Sequence, residues 1–154
     1  MSDIFTLRRI LRGAHTLAVV GLSADWYRPS FFAAKYMQEH GYRIVPVTPK
    51  YPEILGEKSY PDLRSIPFPV DLVDVFRKSG ECAPIARDAV AIGAKALWMQ
   101  IGVINEEAKK IAEDAGLEVV MGRCVKIEYG RLFGGLNWMG VNTGVISSRR
   151  ALAL

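Results

Sequence analysis

The loop at residues 21–30 carries the residue types best suited to holding a phosphate group. It follows the apolar run at residues 16–20 and precedes a helical pattern, which is where α/β domains place the phosphates of a nucleotide. A dinucleotide fingerprint requires glycine at the first, third and sixth positions. Here only Gly21 satisfies it, since Ser23 and Trp26 occupy the other two places. The loop therefore indicates a nucleotide ligand without being a standard NAD loop.

Cationic side chains follow three of the predicted strands. Arg28 lies in the first loop, Lys50 follows the apolar run at residues 42–47, and Arg77 and Lys78 follow the run at residues 70–76. Ligands of parallel sheets bind beyond the carboxyl ends of the strands. We therefore expect these side chains to enter one crevice.

The residue after the second strand favours a phosphorylated ribose. An NAD enzyme usually has Asp or Glu near this point to bind the ribose hydroxyls, whereas this chain has Thr48, Pro49 and Lys50. A lysine suits a ribose that bears a phosphate, as in NADP or coenzyme A. At the helix start, Pro29 pre-sets the first turn, and Ser23 and Ser30 offer hydroxyls beside backbone amides. The alternative is that residues 28–30 only begin a helix, with the Arg28 side chain in solvent and no ligand bound.

The elements needed to position these residues alternate along the chain. The patterns predict a first helix ending at Gly13, then strands at residues 16–21, 42–47, 70–76, 94–100 and 117–121. Helices are predicted from Pro29 to His40, from Ser79 or Gly80 to Gly93, and from Asn105 to Gly116. Residues 48–68 form a long connection with at most a short strand and one helical turn. This order predicts a Rossmann-like α/β fold, doubly wound, with a mainly parallel sheet and helices on both faces.

Length and composition predict one domain over residues 1–154. The chain has 154 residues, of which 50% are hydrophobic and 23% charged, enough for one packed core. Residues 1–13 are predicted to form an added helix, and residues 129–154 are predicted to be a Gly-rich apolar tail that is either a dimer contact or a flexible segment. A homodimer is accordingly one open alternative.

Charge and cysteine content restrict the partners. The net charge is +4, but arginines concentrate near the two ends rather than on one face, which disfavours nucleic acid. Cys82 and Cys124 form no Cys-x-x-Cys pair, so neither a disulfide scaffold nor a metal site is indicated. We find no signal peptide or membrane span. These features predict a cytoplasmic protein with reduced thiols.

Catalytic groups are not evident in the sequence. Cys124 has no neighbouring histidine, and such cysteines usually pack in cores; a mixed disulfide between it and a coenzyme thiol is a minor hypothesis. His15 and His40 fit structural roles. Asp71 and Asp74 are three residues apart on a predicted strand, so their side chains point to opposite faces and form no acid–base pair.

Several segments together resemble the stand-alone coenzyme A-binding proteins, which are similar to the coenzyme A-binding domain of the succinyl-CoA synthetase α subunit. The resemblance runs from about residue 10 to 148 and is carried by residues 19–23, 28–30, 40–42, 71–77, 98–103 and 123–128. It implies a Rossmann-like fold that binds coenzyme A. The chain departs from the family pattern at Thr48, where Asn is common, and at Gly122, where an acid is common.

Position by position, the resemblance implies a binding site. It places Gly21, Ser23, Arg28, Pro29 and Ser30 at the phosphates, Thr48, Pro49 and Lys50 beside the nucleotide, Phe76 and Arg77 at the wall, and Trp98, Gln100 and Gly102 along the thiol-bearing arm. Phe76 and Trp98 fit sheet packing equally well.

The function expected from this site is binding of coenzyme A or an acyl-CoA by a carrier, sensor or accessory protein without catalytic residues. The alternative is an NADP-dependent oxidoreductase that uses the same crevice, with Lys50 or Arg77 on the ribose phosphate. A regulatory protein whose apolar tail binds a partner is a third possibility.

Overall fold

A five-stranded parallel sheet lies at the centre of the computed structural model, which describes residues 4–133. In chain order the strands are β1 (Thr16–Val20), β2 (Arg43–Val47), β3 (Glu53–Ile54), β4 (Glu57–Lys58), β5 (Leu72–Val75), β6 (Ala96–Met99) and β7 (Glu118–Val120). Strands β3 and β4 form a separate antiparallel hairpin. All neighbouring strands of the large sheet are parallel, which confirms the predicted fold class.

The order of strands in the sheet is β2-β1-β5-β6-β7. Strand β1 therefore lies between β2 and β5, with Val20 in register with Val47 on one side and Val75 on the other. The connections after β1 and β5 leave in opposite directions, which opens a crevice between them at the carboxyl end of the sheet. Gly21, the first residue after β1, lies at this switch point.

Within residues 4–133, five α-helices cover the two faces of the sheet. They are α1 (Ile4–Gly13), α2 (Pro29–Glu39), α3 (Cys82–Ala91), α4 (Glu106–Asp114) and α5 (Val125–Leu132). Helices α1, α2 and α5 pack with Leu17 and Val19 on one face, and α3 and α4 pack with Ala18 and Val20 on the other. Alternate residues of a strand point to opposite faces, so a strand buried on both sides is almost uniformly apolar.

The long connection contains more pairing than its sequence predicts. Its hairpin turns at Leu55 and Gly56, which both have positive φ angles. The expected short strand is a single bridge between Val47 and Tyr60. The expected helical turn is a 3₁₀ turn at Leu63–Ser65, where the Asp62 side chain accepts a hydrogen bond from the Ser65 amide.

Helix α5 was not predicted, because its sequence contains Gly130 and lies next to the glycine-rich tail. The segment assigned to a tail from residue 129 therefore begins inside a helix. Tyr129 contributes to the core beside Tyr36 and Tyr42. Residues 134–154, and with them the proposed dimer contact, lie outside the described residues. Among residues 4–133, no helix has the length and apolar character to cross a membrane.

Candidate functional site

A cleft of about 810 Å³ opens at the carboxyl ends of β1, β2, β5 and β6. Most of the predicted site residues line it: Gly21, Ser23, Arg28, Pro29, Ser30, Thr48, Lys50, Phe76, Arg77 and Gln100. Lys78, which the sequence analysis expected in the same crevice, also lines it. Residues that the sequence analysis did not assign to the site contribute as well, namely Leu22, Asp25, Tyr51, Ile101, Val103 and Cys124. Five segments that are distant in sequence thus form one surface.

Three predicted site residues lie elsewhere. Pro49 lines an adjoining depression of about 590 Å³, which shares Gly21, Thr48, Lys50 and Arg77 with the cleft. Trp98 is fully buried in the core, where its Nε1 donates a 2.7 Å hydrogen bond to the Arg123 carbonyl. Gly102 is exposed beside Ser79 and does not line the cleft. Of the two aromatic residues with open roles, Phe76 reaches the cleft and Trp98 packs the sheet.

Glycine is required at position 21 on two grounds. Its φ angle is +84°, a conformation that side chains disfavour. A Cβ atom there would lie 2.5 Å from the Phe76 carbonyl oxygen and 2.7 Å from Cδ of Arg77. The β1 and β5 loops therefore approach closely only because residue 21 has no side chain.

The first loop is shaped by its two serines. The Ser30 hydroxyl accepts a 3.1 Å hydrogen bond from the Ser23 amide, and the Ser23 hydroxyl accepts one of 3.1 Å from the Asp25 amide. A hydroxyl that accepts a bond still has its own O–H to donate. Both serines can therefore donate to an anion in the cleft while they fix the loop.

One end of the cleft is cationic. Arg28, Lys50, Arg77 and Lys78 line it and are exposed, and Asp25 is the one carboxylate among the lining residues. We call the surface formed by these four basic residues the cationic end. Its charge favours an anion that spans several loops, because each strand end contributes a separate donor.

Arg77 is held by a neighbouring carboxylate. Its Nη2 lies 2.7 Å from Oε1 of Glu81, four residues further along the chain. The hydrogen bond from Arg77 lowers the pKa of Glu81 below its usual value. Both side chains are substantially exposed, so the pair is readily exchanged for a ligand contact.

The other end of the cleft has no ionised lining group. Gln100, Ile101, Val103 and Cys124 form this surface, which we call the uncharged end. The Gln100 Nε2 donates to the Asp74 carboxyl, and its Oε1 accepts from the Val125 amide at 3.3 Å. Gln100 therefore connects β5 and β6 to the first turn of α5.

Asp74 lies beneath the uncharged end on β5 and is 1% exposed. Burial raises its pKa to about 7, although the hydrogen bond from Gln100 works in the opposite direction. A carboxyl without water is more stable when it is neutral. Sequence alone gave a signal for this group, since Asp74 is the sole polar residue within the strand Leu72–Val75.

Cys124 lies at the wall of the cleft rather than in the interior of the core. Burial raises the pKa of its thiol above the usual value, so the thiol stays protonated near neutral pH. This is the opposite of what a nucleophilic cysteine requires. Within residues 4–133, His, Cys, Asp and Glu form no cluster able to hold a metal ion.

The strand order, the glycine at the switch point and the cleft above it define a Rossmann-like α/β protein. Residues 15–130 match the family model described as the CoA binding domain. The chain belongs to that family.

Other proteins are similar to this chain in sequence or in structure. The uncharacterized protein YneT of Bacillus subtilis is 37% identical over 123 residues, which cover 80% of this chain and 91% of YneT. A hypothetical protein from Pyrococcus horikoshii OT3 is 39% identical with a TM-score of 0.83, over 85% of this chain and 92% of that one. An acetyl-coenzyme A synthetase from Ca. Korarchaeum cryptofilum shares only the fold, at 22% identity and a TM-score of 0.63, over 73% of this chain and 27% of that one.

Proposed function

We propose that this protein binds coenzyme A in the cleft at the carboxyl ends of its strands. The observation that carries the proposal is the division of one cleft into a cationic end and an uncharged end, in a chain that belongs to the CoA binding domain family. Coenzyme A has the same division, with phosphates at one end and an uncharged pantetheine arm at the other. The ligand and the cleft are therefore complementary along their length.

The phosphates fit the cationic end. Gly21 permits close approach of the backbone, and the hydroxyls of Ser23 and Ser30 supply hydrogen-bond donors at the start of α2. Arg28, within the loop after β1, and Arg77, from the loop after β5, supply positive charge. Thr48, Pro49 and Lys50 follow β2, and we assign Lys50 to the phosphate on the ribose because it lies at the edge of this group.

The pantetheine arm fits the uncharged end. Strands β2 and β6 are three strand spacings apart, or about 14 Å, so a ligand that starts at Lys50 must be extended to reach Gln100. The amide of Gln100 and the apolar side chains of Ile101 and Val103 suit an arm that contains amides and methylene groups. No cation lines this part of the cleft, which leaves the phosphates no second position.

The role consistent with this site is that of a carrier, sensor or accessory protein. Asp74 is 1% exposed and does not line the cleft, and burial raises the pKa of the Cys124 thiol. Asp74 therefore has no contact with a ligand in the cleft, and Cys124 is not activated as a nucleophile at neutral pH. Binding is therefore the activity that these residues support.

Calorimetric titration with coenzyme A, dephospho-coenzyme A and NADPH at one salt concentration tests the proposal. We expect saturable binding of coenzyme A and about tenfold weaker binding of the dephospho form, because a phosphate contact with lysine is lost. Lys50→Ala should weaken coenzyme A and leave dephospho-coenzyme A unchanged. Binding of NADPH alone would instead indicate the oxidoreductase. If Lys50→Ala binds coenzyme A as tightly as the wild type does, the assigned contact between Lys50 and the ribose phosphate is wrong.

A further inference from the structure

A second cavity continues the uncharged end of the cleft. Its volume is about 300 Å³, and Ile101 and Cys124 line both spaces. The other lining residues come from the β7–α5 loop and from α5: Met121, Gly122, Arg123, Ile127 and Glu128. A ligand that extends along the cleft beyond Gln100 therefore reaches a second space that it can occupy.

The wall of this side cavity combines apolar side chains, from Ile101, Met121 and Ile127, with the charged side chains of Arg123 and Glu128. Met121 and Ile127 are half-buried, and Ile101, which stands at the junction with the cleft, is 64% exposed. A ligand that covers this exposed isoleucine removes apolar surface from water, which favours binding. The two charged side chains of the wall are paired with each other, since Arg123 Nη1 lies 3.2 Å from Oε1 of Glu128.

We propose that the cleft takes coenzyme A as a short-chain acyl thioester, with the acyl group in the side cavity between Ile101 and Ile127. The inference rests on the proposed function, because it requires the thiol end of the coenzyme to point towards Cys124. It goes further by assigning the class of ligand. Free coenzyme A would leave Ile101 exposed and the side cavity without an organic occupant.

The volume of the side cavity sets the length of the acyl group. A water molecule has a share of about 30 Å³ of the liquid, so a space of 300 Å³ accommodates roughly ten groups of that size, some of which are water molecules that stay beside the acyl group. A methylene group is of similar size. Acyl groups of two to about six carbons fit, whereas a long-chain fatty acyl group must project into solvent.

Titration of the full chain with coenzyme A, acetyl-CoA, butyryl-CoA and palmitoyl-CoA tests this assignment. Burying a methylene group gains about 0.8 kcal/mol, which corresponds to about fourfold in affinity. We expect affinity to rise from acetyl-CoA to butyryl-CoA by up to about fifteenfold. Palmitoyl-CoA should gain at most about the same factor again, because only about six of its carbons fit in the side cavity. Ile127→Phe should fill the side cavity and remove the preference for butyryl-CoA, while Ile127→Leu, which keeps the volume, should retain it.

The results separate the inference from the function on which it rests. If coenzyme A binds and the acyl forms bind no more tightly, or Ile127→Phe keeps the butyryl-CoA preference, the acyl assignment is wrong and the coenzyme site stands. If coenzyme A does not bind, the proposed function fails and the acyl assignment fails with it. The affinity of Ile127→Phe for free coenzyme A reports whether that variant is folded.

Discussion

The two ends of the cleft are built on different principles. At the cationic end, exposed side chains stand on a backbone that Gly21 brings close together. At the uncharged end, Gln100 is buried and tied to Asp74 and to the first amide of α5. The first end depends on charge that solvent can reach, and the second depends on an amide and on a carboxyl whose ionisation is disfavoured by burial. Affinity for the ligand and selection of its distal group are therefore separable.

This comparison leads to different sensitivities at the two ends. Exposed charges respond to salt and to single substitutions by modest amounts. A buried polar network responds to the protonation of its members, because an unpaired charge there is costly. The following variants examine the two ends separately.

Asp74→Asn should produce the largest change, and it should depend on pH. The pKa of Asp74 is about 7 in the folded protein and near 3.8 when unfolded. The wild type is therefore destabilised as pH rises from about 4 to about 7, since the unfolded chain releases the proton first. Asn is neutral at every pH, so Asp74→Asn should not show this loss. Its gain in the free energy of unfolding over the wild type should be larger at pH 8 than at pH 4, by at most about 4 kcal/mol. Urea denaturation across this range measures it.

Asp71→Asn provides the matched control, because Asp71 directly precedes the same strand. Burial opposes its ionisation, but hydrogen bonds from the His15 and Thr16 amides and the charge of Lys95 lower the pKa of Asp71 below its usual value. The ionised form of Asp71 stabilises the fold, so the wild type gains stability as pH rises through this pKa and the neutral Asn does not. The loss of stability in Asp71→Asn, measured against the wild type, should therefore grow as pH rises from acid. The same sign of pH dependence in both variants would contradict the assigned environment of Asp74.

Gly21→Ala should be next in size. It adds a side chain at a positive φ angle and places Cβ against the Phe76 carbonyl, and we expect a loss of about 2–4 kcal/mol in the free energy of unfolding. Gly102→Ala is the control, since Gly102 has a φ angle of +81° but open space around its Cα. It should cost about 1–2 kcal/mol. Equal losses would show that the close approach of the two loops contributes nothing.

Arg28→Ala should weaken coenzyme A binding by about tenfold at low salt and less at high salt, because the side chain is exposed. Arg64→Ala removes the same charge away from the cleft, where Arg64 pairs with Asp88 at 2.7 Å. It should leave the affinity within about twofold. Calorimetry at two salt concentrations compares the two variants. Similar losses of coenzyme A affinity in both would show that the net charge of the protein, and not a contact with Arg28, is responsible.

Glu81→Gln should give the smallest effect, and it should be a gain. Removing the carboxylate releases Arg77 from its ion pair, so a phosphate no longer has to compete for the guanidinium. We expect binding to tighten by about twofold, in line with the small contribution of exposed ion pairs. Weaker binding in the same titration would place Arg77 outside the phosphate contacts.

The cationic end was the part of the site that sequence could predict. Its residues follow apolar strands, and parallel strands bring their carboxyl ends together whatever the details of packing. The prediction failed for Trp98, because position within a segment does not show which face of the sheet a side chain occupies. In the structure it shares a face with Val19 and Asp74 and lies under α5.

The uncharged end was less predictable, because it depends on a helix that the pattern did not show. Helix α5 places Cys124 and Ile127 beside Ile101, although its sequence begins after a glycine at position 122 and contains Gly130. Its stability comes from tertiary contacts, such as Val125 and Tyr129 in the core, rather than from propensity. The local hydrophobic pattern of a segment does not predict its contacts with segments that are distant in sequence.

The most direct test of the central claim is an NMR titration of the ¹⁵N-labelled protein with coenzyme A. We expect the largest amide shifts in residues 21–30, 48–51, 76–78 and 100–103, with smaller ones at the start of α5. Shifts concentrated instead around His15, Gly41 and Tyr42, which line a separate cavity of about 260 Å³, would place the ligand away from the strand ends and contradict the account.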